Sequence, residues 1–481
     1  MPGGIMQIVV ANSPAMGKIV GNPQFSYFTQ AWRRPANFST EWISVAFETS
    51  TTISQSTANA TTLAITRGIP RSGDLLLNVY FSFVLPDIYS DDTSRFQWIQ
   101  KIGCYMIREV RVMLSGQIIE RFPGEWIDVH GELCYPVDKR GMLDRMTGNT
   151  QDIAGPVALE NVVTVFNNDL LYAPYPGSTR ASSGMGVAAS PSIRGRRIYV
   201  PLPLWFSKSS GNALPLVALQ GTPVQIEVDV RPWSELYQLW DRFSQSYCSP
   251  ANYPVGLVSN DGSVTNLITP LMGQFLEPAQ SGGAVVDLRA QLECEYGFLG
   301  KDEIRAVANN IANVLIETCR PASYVGLKGG SWTQDLNVNE PTKELVWIVR
   351  RANAMRNNEW SNLTNASPED ASAATLRTGT MLLNRQVRMD PKDASFFDTL
   401  QPFQHHSGSP RPGIYVWSFS LNPERMAPSG LLDMSSFANK QLQLVLSQPP
   451  TSTDLYQVDI FAVTNNFLNI LCGEAGIQFI V

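Results

Sequence analysis

His130 and Cys134 stand four residues apart, a spacing at which two side chains on one helix face can hold a metal ion. No second ligand pair accompanies them, so they read as helix packing and no metal is expected. His405 and His406 are adjacent, and neighbours on a regular strand point to opposite faces. Ser407, Gly408, Ser409 and Pro410 follow them, which marks a surface loop, with a pH-sensing contact as the alternative. Glu293 and Glu295 share one strand face with Arg289 and Gln291. A glycosidase pair needs two carboxylates converging across a cleft, so these read as a polar strand face. Gly184-Met185-Gly186 lacks the third glycine of a dinucleotide fingerprint, no Lys-Ser/Thr follows a glycine-rich loop, and no Gly-x-Ser-x-Gly elbow occurs. The expectation is a chain with no catalytic, cofactor-binding or metal-binding residues: not an enzyme.

Composition narrows the classes further. Of 481 residues, 44% are apolar and only 16% charged, against a usual ~25%. A surface so poor in charge suits large subunit interfaces. The formal net charge of −6 argues against direct nucleic-acid binding, which needs a basic footprint. The one dense basic cluster, Arg194, Arg196 and Arg197, reads as a solvated loop rim. Cys104, Cys134, Cys248, Cys294, Cys319 and Cys472 form no CxxC pair and read as reduced, mostly buried thiols of a chain made in the cytosol. The N-terminus lacks the pattern of a signal peptide, and no apolar run is long enough to span a membrane.

The elements that would position any site are strands. Val224, Ile226, Val228 and Val230 alternate with Gln225, Glu227, Asp229 and Arg231, the period of a half-buried strand. The same rhythm runs through Leu75–Leu85, Asp287–Gly297, Tyr415–Leu421, Leu442–Leu446 and Val458–Ala462. Turn signals such as Arg71-Ser72-Gly73-Asp74 and Ser115-Gly116 punctuate them. Helical spacing is confined to a segment from Asp92 to Gly103, another near Trp126–Cys134, and the polar Lys301–Asn309. Strands separated by long excursions, at about 147–192 and 235–285, suit a Greek-key or jelly-roll sandwich better than a meander. The fold expected is all-β, two tandem antiparallel sandwiches with few short helices. Residues 1–24 form an N-terminal arm, 25–300 the first sandwich domain and 301–481 the second.

Ordered stretches along the chain resemble the major capsid proteins of nucleocytoplasmic large DNA viruses. They are Gly3-Gly4-Ile5-Met6-Gln7-Ile8-Val9, Trp32-Arg33-Arg34-Pro35-Ala36-Asn37-Phe38, Ile69-Pro70-Arg71-Ser72-Gly73-Asp74 and the strand from Ile107 to Ile119. Tyr199-Val200-Pro201-Leu202-Pro203-Leu204-Trp205-Phe206 and Asn212–Gln220 are the most specific pieces, and Arg411–Glu424 resembles the family's late strand. Ser115 stands where a glycine is usual, and Leu431–Ser435 replaces an Asn-Phe-Ser. The resemblance implies that the two sandwiches, 25–300 and 301–481, are antiparallel jelly rolls in tandem, a double jelly roll, in a structural capsid protein forming homotrimeric, pseudo-hexagonal capsomers that tile an icosahedral shell. Its partners would be neighbouring capsomers, penton and minor capsid proteins, and the internal membrane through inner-face proteins. It would be made in the host cytoplasm, in a viral factory, and reside in the virion capsid. The excursion at 147–192, which includes Ser182, would face outward. Arg33 and Arg34 would pair with a neighbour or be a solvated pair. A carbohydrate-binding or host-attachment β-sandwich of the virion is the alternative, because jelly rolls host that function too.

Overall fold

A computed structural model describes residues 37–54, 63–91, 94–156, 175–180, 189–241, 246–253, 257–258, 264–265, 271–277, 285–310, 313–327, 329–366, 373–471 and 473–477. The N-terminal arm, Arg33, Arg34, Ser182, Gly184 and Cys472 lie outside them. Eight strands build the first sandwich: β1 (Phe38–Ala46), β2 (Leu63–Gly68), β3 (Leu75–Val84), β4 (Ile107–Leu114), β5 (Gln117–Pro123), β6 (Arg197–Pro201), β7 (Val224–Val230) and β8 (Gln291–Leu299). They form two antiparallel sheets, in the orders β1-β8-β3-β6 and β2-β7-β4-β5. Phe81, Phe83 and Leu292 of one sheet and Val110, Val112 and Ile226 of the other lie in a single buried cluster.

Eight more strands follow: β9 (Asn313–Leu327), β10 (Ser331–Asp335), β11 (Pro341–Arg351), β12 (Leu376–Leu383), β13 (Gln386–Asp393), β14 (Ile414–Ser418), β15 (Lys440–Leu446) and β16 (Tyr456–Leu471). Their orders are β9-β16-β11-β14 and β10-β15-β12-β13. Adding eight to each strand number of the first sandwich reproduces the second, so one topology occurs twice in the chain. That interleaving of first with eighth and second with seventh strands is a jelly roll. In both sandwiches the fourth and fifth strands join through two residues of positive φ, Ser115-Gly116 (49° and 81°) and Asn384-Arg385 (50° and 66°). Two such residues suit the twist of a tight hairpin.

The alternating sequences fold as their period requires. In β7 and β15 every second residue is buried. Glu293 and Glu295 lie on a polar face, bonded to Ser44 and Ser82 and to Asn78. Elsewhere the periodicity misleads. The expected strand Asp287–Gly297 is broken: Val285–Asp287 pairs with Thr52–Ser54, Arg289 takes φ 45°, and β8 begins at Gln291. The expected helix from Asp92 to Gly103 is a short strand at Phe96–Trp98 followed by a five-residue helix, Ile102–Met106; apolar residues three apart are also odd-even neighbours of a buried strand. The Tyr415–Leu421 rhythm ends with β14, and Leu421 is exposed. Nor are Arg196 and Arg197 simply solvated, because Arg196 pairs with Asp152 and Arg197 bonds the Ser82 hydroxyl.

Four helices matter here: α1 (Gly124–Cys134) and α2 (Val137–Thr147) after β5, α3 (Lys301–Asn310) between the sandwiches, and α4 (Gln401–His405) before β14. No helix among the described residues is long and apolar enough to cross a membrane. The described cysteines are all free, four of them buried and Cys134 half-buried.

Candidate functional site

The sheet β9-β16-β11-β14 has no face turned wholly to solvent. Thr342 to Arg350 is buried at every position. Its alternate residues enter two different cores: Leu345, Trp347 and Val349 pack within the second sandwich, while Val346 and Ile348 join the cluster of the first. β16 divides likewise, with Val458, Ile460 and Ala462 on one side and Phe461 and Val463 on the other. One sheet is thus a wall shared by both sandwiches, and the seam along it fixes how they stand relative to each other.

α1 lies in that seam. Gly124 opens it, where an added Cβ would sit 2.2 Å from the Ile107 carbonyl. Trp126 packs on Phe461 of the second sandwich, ring centroids 5.2 Å apart. Glu125, Asp128 and Glu132, spaced at helical i, i+3 and i+7, all meet cations. Glu125 accepts from Arg231 at 2.8 Å and from Arg350 of β11 at 3.0 Å. Arg350 also grips Asp459 of β16 at 2.5 Å. Asp128 accepts from Lys101 at 2.6 Å, the Tyr105 hydroxyl at 2.7 Å and Arg411 at 2.5 Å. Glu132 pairs with Lys101 and, at 3.1 Å, with Arg411. At the far edge Glu317 of β9 holds Lys208 of the first sandwich, and Lys343 at 2.6 Å.

Burial alone would raise the pKa of each of these carboxyls. For Asp128 the charges of Arg411 and Lys101 outweigh it, for Glu125 those of Arg231 and Arg350, and for Glu317 those of Lys208 and Lys343; all three end below the usual carboxylate range. They are anions at neutral pH. A buried ion pair adds little over an apolar one of the same shape, but removing one partner strands the other. The seam therefore selects one relative placement of the sandwiches, because any other leaves charges unpaired.

The histidines sit at one end of the seam. His130, on α1, faces Trp126, and burial lowers its pKa to about 3. Cys134 instead meets the second sandwich. The surface-loop reading fails for His406, whose side chain is 1% exposed. Ser407 and Ser409 are exposed, as a surface loop requires, but Gly408 docks on α1 of the first sandwich, its N–H donating to the Leu133 carbonyl at 2.8 Å. Glu344 lies 3.0 Å and Glu424 3.4 Å from the His406 ring nitrogens. A cavity of about 280 Å³ opens beside them, lined by His130, Cys134, Lys208, Glu317, Glu344 and Glu424. Sequence reasoning missed the charged seam, although the acidic i, i+3, i+7 stripe on α1 was a readable signal of a helix face bound to cations.

Two family models match this chain: residues 26–254 match the N-terminus of major capsid proteins, and 303–476 match the large eukaryotic DNA virus major capsid protein. A major capsid protein of Phaeocystis pouchetii virus is 27% identical, with both chains covered completely. One from Tipula iridescent virus is 24% identical over 86% of this chain and 85% of its own. Among solved structures, a quasi-atomic model of the PBCV-1 virus capsid covers 95% of this chain and 100% of its own, with TM-score 0.65 and 20% identity. The Faustovirus major capsid protein covers 95% of this chain and 94% of its own, with TM-score 0.64 and 13% identity. The shared fold is the double jelly roll.

Proposed function

Since the chain belongs to the major capsid proteins of large eukaryotic DNA viruses, structural subunits of the virion capsid, we propose that it works as a homotrimer whose six jelly rolls form a pseudo-hexagonal capsomer. The observation that carries this reading is the repeated strand order within one chain. Two equivalent rolls held rigidly by a buried seam present two near-equivalent faces, and three chains then supply six. A hexagonal lattice can be tiled by such a unit from one gene product. Exposed apolar side chains supply surface for the contacts: Phe38 and Trp42 on β1, and Phe403 just before His405, which is 85% exposed. Obligate interfaces are large and apolar, typically above ~2,000 Å².

On this reading residues 1–24 are an arm, 25–300 one roll and 301–481 the other. The chain assembles with neighbouring capsomers, with penton and minor capsid proteins, and through inner-face proteins with an internal membrane. It is made in the host cytoplasm, binds no nucleic acid directly and catalyses no reaction. Electron microscopy of the purified chain tests the proposal. Three-fold particles of hexagonal outline, joining into hexagonal sheets, are the expected result. Isolated two-lobed particles at every concentration would overturn it.

A further inference from the structure

At the end of the seam three potential metal ligands converge from two sandwiches. Cys134 closes α1 in the first; His406 follows α4 and Glu424 follows β14 in the second. The thiol sulfur, an imidazole nitrogen and a carboxylate oxygen of these residues lie within 4.8 Å of one another. The segments that carry them are already tied together. Ser407 donates its N–H to Glu424 at 2.7 Å and its hydroxyl to the Cys134 carbonyl at 3.0 Å.

A second observation points to a missing partner. The His406 side chain is 1% exposed; its Nε2 lies 3.0 Å from Glu344 Oε2, but its Nδ1, 3.4 Å from Glu424, makes no hydrogen bond of good geometry. Buried polar atoms are nearly always satisfied, so this nitrogen calls for an explanation.

We propose that Cys134, His406 and Glu424 bind a zinc ion that staples the two jelly rolls together. One sulfur, one nitrogen and one oxygen ligand suit zinc, whose borderline softness accepts all three. His406 Nδ1, the nitrogen that faces Glu424 at 3.4 Å, takes the ion. Nε2–H is left to donate to Glu344, the carboxylate–histidine–metal arrangement that fixes a ligand ring. The fourth position opens on the cavity and takes water. Glu344 and Glu424 hold the imidazole of the metal-free chain protonated against the opposing effect of burial, raising its pKa to about 12, and burial keeps the Cys134 thiol protonated. Binding therefore expels two protons, one from sulfur and one from nitrogen, and no electron moves.

Zinc analysis and cobalt titration of the full-length protein test this. After chelator treatment and dialysis, cobalt should bind at one ion per chain with a thiolate-to-cobalt charge-transfer band, and zinc should displace it. Cys134→Ser should abolish the band, Glu344→Gln should weaken binding about 10–100-fold, and His130→Gln should leave it unchanged. If Cys134→Ser does not fold, titration of the unaltered chain decides alone. No charge-transfer band, or sub-stoichiometric metal that survives in Cys134→Ser, would overturn the proposal and leave His406 as an imidazolium between two glutamates.

Discussion

Replacing Arg350 with methionine is expected to cost the folded chain about 3–5 kcal/mol, the penalty for stranding a buried partner. The Arg350 guanidinium holds an acid of the first sandwich, Glu125, and an acid of the second, Asp459, together. Without it Glu125 retains Arg231, and Asp459 keeps only neutral donors, Ser323 at 2.6 Å and Gln457 at 2.8 Å. Urea denaturation of the single variant measures the loss. The double variant Asp459→Asn with Arg350→Met should recover part of it, because the stranded anion is gone, and the interaction energy from the cycle should exceed ~0.5 kcal/mol. A neutral single substitution would mean that the seam is hydrated in solution and does not lock the sandwiches.

The second large effect comes from Gly408. A Cβ there would lie 2.2 Å from the Glu132 carbonyl oxygen and 2.4 Å from that of Leu133. Both are backbone atoms of α1 in the other sandwich, so no side-chain rotation relieves the clash. Gly408→Ala should cost about 1–3 kcal/mol or more through overpacking. It should also break the Gly408 N–H bond to Leu133 and shift the two rolls apart. Assembly, which depends on their relative placement, should fail at temperatures where each sandwich is still folded. Gly177→Ala, where a Cβ meets nothing within 4 Å, should change stability by no more than ~0.5 kcal/mol and serves as the control. Circular dichroism and gel filtration of the two variants side by side separate folding from assembly.

Strands with one wet face were legible in the sequence because burial there alternates with period two, as in Val224–Val230 and Lys440–Leu446. The shared wall was only half legible. Val458, Ile460 and Ala462 alternate, but Phe461 and Val463 between them are equally buried, in another core. Leu345 to Val349 is a continuous apolar run, which carries no phase at all. The seam was hidden for a different reason: Glu125 and Arg350 are 225 positions apart, and no local pattern links them. His406 was misread because Ser, Gly and Pro do mark a turn, but whether a turn faces water depends on what docks over it, here α1. The family resemblance supplied the topology that periodicity could not, since strand order is a matter of long-range pairing.

On the proposed reading, two equivalent jelly rolls, fixed by a buried charged seam, make a subunit that associates in threes. The mass of the purified full-length chain in solution, measured by sedimentation equilibrium at micromolar concentration and neutral pH, decides this. A species of three chain masses, with no monomer at equilibrium, is expected. A stable monomer under those conditions would contradict it.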